Sequence, residues 1–169
     1  MKVIDLKKTL KPLYAAWASK PSIVDVPPLR ALMIDGCGDP NGADFEEAVG
    51  ALYGVAYTLK FALKKAKVLD YPVMPLEGLW WADDPADFLS GRRNNWEWTV
   101  FIVVPDAVAK PDFLRAAKAK AKAPRFPEIR LARFSEGKAA QILHVGPYAA
   151  ERPTIERLHR FIEERGLRL

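Results

Sequence analysis

The chain has 169 residues, a mass of 18.9 kDa and a formal net charge of +5; half of it is apolar, and it contains five tryptophans and one cysteine. A chain of this size buries roughly 70% of its unfolded surface, enough for a core, so a disulfide scaffold built on the lone Cys37 and intrinsic disorder are both excluded. No run of about 18 uncharged apolar residues offers a membrane span, and Met1-Lys2-Val3-Ile4-Asp5 lacks the apolar region of a signal peptide. The expectation is a cytoplasmic single domain over residues 1–169 with no membrane contact.

Leu6, Leu10, Leu13, Tyr14 and Trp17 approach a helical repeat that Pro12 interrupts. Pro21, Pro27 and Pro28 punctuate a short extended piece. Leu29–Asp35 (LRALMID) then predicts a buried strand, closed by the loop GCGDPNG. The clearest helix follows. Asp44 and Glu47 are spaced as a capping box, and Phe45, Val49, Leu52, Ala56, Leu59 and Leu63 recur at alternating steps of four and three as one apolar stripe. Glu46 and Glu47 in the first turn and Lys60, Lys64, Lys65 and Lys67 in the last turns suit the helix dipole. A second stripe, Tyr53, Tyr57 and Phe61, reads either as a wide core contact or as the aromatic wall of a cavity.

Val73–Trp81 (VMPLEGLWW) and Trp96–Val104 (WEWTVFIVV) are β-rich runs around a polar loop and predict a long hairpin. Pro111 opens, and Pro124 and Pro127 close, a lysine-alternating helix. Residues 107–133 carry a net +6 and leave −1 for the rest, so the basic character belongs to one segment. No aromatic interleaves the basic run at 115–123. It reads as a solvated face, and a nucleic-acid partner is not expected. Ile129–Phe134 (IRLARF) alternates as an edge or half-buried strand would. Ser135–Lys138 reads as a turn and Ala139–Val145 (AAQILHV) as a strand. A final helix to about Arg165 turns Ile155, Leu158 and Ile162 inward and stops at Gly166. The order strand, Gly/Pro turn, helix occurs twice, which divides the chain into halves of about 22–105 and 106–169.

Few residues suggest chemistry by motif. GCGDPNG lacks the spacing and the lysine of a phosphate loop, and His144 and His159 lie too far from Cys37 and from each other to read as a metal site. His144 beside Gly146-Pro147 reads as a hydrogen-bonded structural residue. Ser19, Ser22, Ser90 and Ser135 lack the elbow context of a nucleophile. No cofactor is called for.

Aromatic density is the local anomaly. Trp80, Trp81, Trp96 and Trp98 all fall on the proposed hairpin. Along a strand Trp96 and Trp98 share a face, whereas Trp80 and Trp81 point to opposite faces. The indoles read either as core packing or as walls of a concave site for flat or cationic ligands. Glu77, in PLEGLWW, is a carboxylate among apolar neighbours, costly unless paired or put to use. It serves as a general acid or a counter-charge for a cationic ligand, or it pairs with Lys60 or Lys64. Glu97 reads as a solvent-facing alternate.

The pieces DPNG (39–42), LYGVAYTLKFALKK (52–65), YPVMPLEGLWW (71–81), WEWTVFIVVPDAV (96–108) and EGKAAQILHVGPYAAERPTIERL (136–158) resemble the GyrI-like small-molecule-binding family, in its stand-alone bacterial branch. The resemblance implies an α+β fold of two strand–helix–strand–strand modules about a pseudo-twofold, with antiparallel sheets and a ligand groove between them. Relatives bind drugs, inhibit gyrase as a protein partner, or hydrolyse cyclopropane-containing DNA-alkylating natural products as a detoxification. Carried onto this chain, it implies a small-molecule partner held by Tyr53, Tyr57, Trp80, Trp81, Trp98 and Tyr148, with Glu77 as the catalytic candidate. Members continue past the last helix into a strand bearing a His-Glu-Ile-Tyr-like motif, whose glutamate faces the ligand. No position here matches that glutamate. Either the natural chain runs past Leu169 or Glu77 serves alone. Oligomeric state is left open.

Overall fold

The structure, a computed structural model, describes residues 1–84, 87, 90–121 and 126–168. The described residues are α+β and fall into two compact units, Met1–Lys7 with Leu29–Phe134 and Lys8–Pro28 with Ser135–Leu169. None of their helices is long and apolar enough to cross a membrane.

The first unit is built on a four-stranded antiparallel sheet of β3 (Leu29–Cys37), β5 (Leu76–Trp81), β6 (Glu97–Val103) and β7 (Arg130–Phe134), in spatial order β5-β6-β3-β7. The expected hairpin is present as β5 and β6, although β5 begins at Leu76 rather than Val73, because Pro72 and Pro75 have no N–H to give a ladder. The alternating run IRLARF forms the edge strand β7. A two-residue β1 (Lys2–Val3) lies parallel to β4 (Leu69–Asp70). The N-terminal periodicity yields two single turns, α1 (Leu6–Thr9) and α2 (Lys11–Tyr14), with Pro12 in the first turn of the second.

The helix α3 (Ala43–Lys65) packs on β3 and β6 and buries Ala48, Leu52, Val55, Ala56, Leu59 and Leu63. Its start differs from the capping box. Gly42 is the N-cap, in extended conformation, and no side chain caps the helix. Asp39 is the reason: its carboxylate accepts the Asn41 backbone N–H at 2.9 Å and its carbonyl accepts the Gly42 N–H at 2.8 Å. This Asx turn starts the helix before Asp44 can reach a capping position. A shorter helix, α4 (Lys110–Lys120), packs beside α3 with Pro111 in its first turn. Lys122, Pro124 and Arg125 lie outside the described residues.

In the second unit β2 (Ser22–Val26) pairs antiparallel with β8 (Gly137–Gln141). The strand expected over 139–145 stops at Gln141, because its partner there, Ser22, is the first residue of the antiparallel β2 and the ladder ends with it. It also begins at Gly137, within the expected turn. Past β8 the Leu143 N–H donates to the Trp17 carbonyl at 3.2 Å instead. The helix α5 (Arg152–Glu163) buries Ile162 and half-buries Leu158. Ile155, expected inward, is 40% exposed, since it sits in the first turn, where none of the helix's residues is buried. Gly166 ends the segment with φ +65°, and the Leu167 N–H returns to the Ile162 carbonyl.

Candidate functional site

Strand register divides the side chains of the first unit between two faces of the sheet. One face presents Trp80, Trp98 and Gly36 in a row across β5, β6 and β3, followed by Gly78, Val100 and Ile34. The opposite face presents Trp81, Glu97 and Cys37, then Leu79, Thr99 and Asp35, then Glu77, Phe101, Met33 and Arg130. The proposed site residues of the hairpin are therefore split: Trp80 and Trp98 share the first face, Glu77 and Trp81 the second.

Over Trp98 the first face is covered by α3, while Trp80, on the edge strand β5, stays 38% exposed. Phe45 meets Trp98 edge-on at 5.1 Å and lies 5.5 Å from Trp80, which in turn meets Trp96 at 6.1 Å. Trp98 is 2% exposed, and a Cβ at Gly36 would stand 2.2 Å from its indole. Gly36 is the only residue type that leaves room for that ring. Gly78 serves Trp80 likewise, with the indole nitrogen 2.9 Å from a notional Cβ. The buried Trp98 N–H has no hydrogen-bond partner among the described residues. Trp98 is thus packing at the heart of the hairpin.

The second face is polar at its centre. Thr99 donates to Asp35 at 2.6 Å, and Arg130 reaches the same carboxylate with Nε at 3.0 Å and Nη2 at 2.7 Å. These bonds from Arg130, with help from Thr99 and against partial burial, hold the Asp35 carboxyl below the usual carboxylate range. A further guanidinium nitrogen of Arg130 lies 3.0 Å from the Met33 sulfur. Phe134 covers Phe101 at 4.6 Å. Towards the β5 edge the Trp81 N–H donates to the Glu97 carboxylate, which orients the indole while 41% of the residue stays exposed. Glu77 is half-buried on this face. The lysines that the sequence offers it, Lys60 and Lys64, both converge on Asp70, at 3.0 and 2.8 Å. Those two cations, Lys64 first, lower the Asp70 carboxyl.

The other candidates stand elsewhere. Tyr53 and Tyr57 belong to a stacked ladder with Phe61 on α3, with centroids 6.2 and 6.1 Å apart. Tyr57 is 47% exposed, as expected of residues out of phase with the buried stripe. Tyr148 lies in a 3₁₀ turn of the second unit and is 90% exposed. His144 is structural, as expected. Its Nε2 lies 3.1 Å from the Pro147 carbonyl and its Nδ1 3.0 Å from the Thr154 hydroxyl, so both ring nitrogens are hydrogen-bonded. Sequence reasoning missed Phe45 as the seal over the indoles and the Asp35–Arg130 pair, whose members lie 95 residues apart. The available signals were the stripe containing Phe45 and the alternation of IRLARF, which sets Arg130 and Phe134 on one face.

The chain belongs to the GyrI-like small-molecule-binding domain family, whose model matches residues 19–169. An uncharacterised conserved protein of known structure from Listeria innocua is 36% identical, with TM-score 0.87 over 96% of this chain and 82% of its own. Two proteins described as hydrolases, also from Listeria innocua, are 35% and 37% identical with TM-scores of 0.81. They match over 96% and 98% of this chain and 85% and 82% of theirs. No curated protein matches the chain.

Proposed function

We propose that this chain is a cytoplasmic binder of flat, apolar or cationic small molecules, which dock on the sheet face carrying Glu77 and Trp81. One observation carries this reading: a half-buried carboxylate shares a face with a half-exposed indole whose orientation is fixed by Glu97. A cation over an indole gains about 0.5–2 kcal/mol, more as water is excluded. Glu77, Glu97 and Asp35 outnumber Arg130 on the face, so its local charge favours cations. Trp80 and Trp98 act behind the sheet, keeping the hairpin rigid. Fluorescence titration with an aromatic cation tests the reading. Glu77→Gln is expected to weaken binding at least about tenfold, roughly 1.4 kcal/mol. Equal affinity in the variant removes Glu77 from the site.

The two relatives described as hydrolases favour a second reading, hydrolysis, for which the family resemblance suggests a cyclopropane-containing DNA-alkylating compound as substrate. Glu77 would take a proton from water as the oxygen attacks a ring carbon. The ring C–C bond would break towards a conjugated carbonyl, and the proton would pass to the resulting enolate. Mass spectrometry of such a compound incubated with the protein detects the added water. An undiminished rate in Glu77→Ala excludes this route.

A further inference from the structure

The outer side of α3 has a pattern that ligand binding at the sheet does not use. Taking about 100° per residue, Gly50, Gly54, Tyr57 and Phe61 stand within about 60° of one another, opposite the buried stripe. Tyr57 and Phe61 are 47% and 57% exposed, although they belong to one stacked ladder. Beside this i, i+4 ridge runs an i, i+4 groove floored by glycine. No neighbouring atom lies within 4 Å of a notional Cβ at Gly50, and Gly54 meets only Lys120 methylenes, at 3.9 and 4.0 Å. Charge is ordered along the same line. Glu46 and Glu47 are exposed at the N-terminal end, and Lys64 and Lys65 at the C-terminal end, about 28 Å away.

From this we infer that α3 is a self-complementary docking surface for a second copy of this chain, in an antiparallel, twofold contact. Sequence positions that sum to about 111 then oppose each other where they share a flank of the seam. Phe61 of one copy sits over Gly50 of the other and Tyr57 over Gly54; Glu46 and Lys64 share one flank and Glu47 and Lys65 the other, so Glu46 meets Lys64 and Glu47 meets Lys65. Each aromatic meets a glycine hole and each acid a base, and every pairing occurs twice, as a twofold contact requires. A foreign partner would have to reproduce acid, groove, ridge and base in this order, whereas a second copy supplies them by symmetry. Lys64 already holds Asp70, so Glu47 with Lys65 is the pair that tests the register. Neither of these two has an ion pair among those recorded for the described residues.

Sedimentation equilibrium of the full chain from about 1 to 200 µM, the range of weak dimers, reads the proposal. A concentration-dependent dimer is expected. Phe61→Ser should raise its dissociation constant at least about tenfold. Gly50→Gln fills the groove and also improves the helix, so it should abolish the dimer while unfolding no more readily. Glu47→Lys and Lys65→Glu should each weaken association about two- to fivefold, and the double exchange should restore it. A monomer throughout this range overturns the proposal, as does a dimer indifferent to Gly50→Gln and Phe61→Ser.

Discussion

The two faces of the four-stranded sheet use the same strands for opposite purposes. On one, Phe45 of α3 closes over Trp80 and Trp98, and Gly36 and Gly78 give up their side chains so that the indoles can lie against the backbone. On the other, Asp35, Thr99 and Arg130 form a hydrogen-bonded polar cluster, Trp81 leans on Glu97, and Glu77 stands two rows further along the same face. Trp98 is thus buried on one side, while Trp80 and Trp81 are exposed to a similar degree, 38% and 41%, on opposite sides. What separates them is strand parity: Trp80 and Trp81 are neighbours in sequence and stand on different faces.

The sealed face should break hardest. Gly36→Ala drives a methyl into the Trp98 ring, and overpacking of this kind costs about 1–3 kcal/mol. For a chain of this length that lowers the melting temperature by roughly 2–4 °C per kcal/mol. Thermal denaturation should show it together with a changed near-ultraviolet signal from the displaced indole. An unchanged melting temperature would mean that Trp98 does not lie over Gly36.

On the polar face the effect is smaller and depends on pH. Asp35 is half-exposed, so its pair with Arg130 contributes at most about 1 kcal/mol after solvent screening. Its folded pKa lies below the ordinary 3.8, so the contribution is present above that value and is lost as pH falls through the folded pKa. Arg130→Gln should melt a few degrees below the native chain at pH 6, and the gap should close as pH falls through the lowered Asp35 pKa. A gap that persists in acid would assign the loss to Arg130 packing over Met33 instead.

Much of this architecture was legible in the sequence because its signals are local. LRALMID and WEWTVFIVV are strands by composition, and the 4-3 stripe of α3 predicts Leu52, Ala56, Leu59 and Leu63 among its buried residues but not Ala48 and Val55, while Phe45 and Val49 of the stripe are only half-buried. Registers are not local. That Glu77 stands opposite Phe101, in the row that ends at Arg130, depends on three pairings between distant segments. The same holds for the capping of α3, where an Asx turn at Asp39 competes with the capping box and wins by coming first along the chain. The strand AAQILHV was overextended because strand length is set by the partner, and β2 has only five residues. The candidate site was legible as a list of residue types, but its division by parity emerges only when β5, β6 and β3 are aligned. The second aromatic stripe was visible as an anomaly, and its meaning required the exposure of Tyr57 and Phe61.

The division of the hairpin is tested most directly by comparing Trp81→Phe with Trp80→Phe under titration with one aromatic cation. Binding is expected to fall at least about tenfold in Trp81→Phe, to leave that variant within about 0.5 kcal/mol of native stability, and to persist in Trp80→Phe. Loss of binding in Trp80→Phe with native affinity in Trp81→Phe would contradict the account and put the ligand on the helix-covered face.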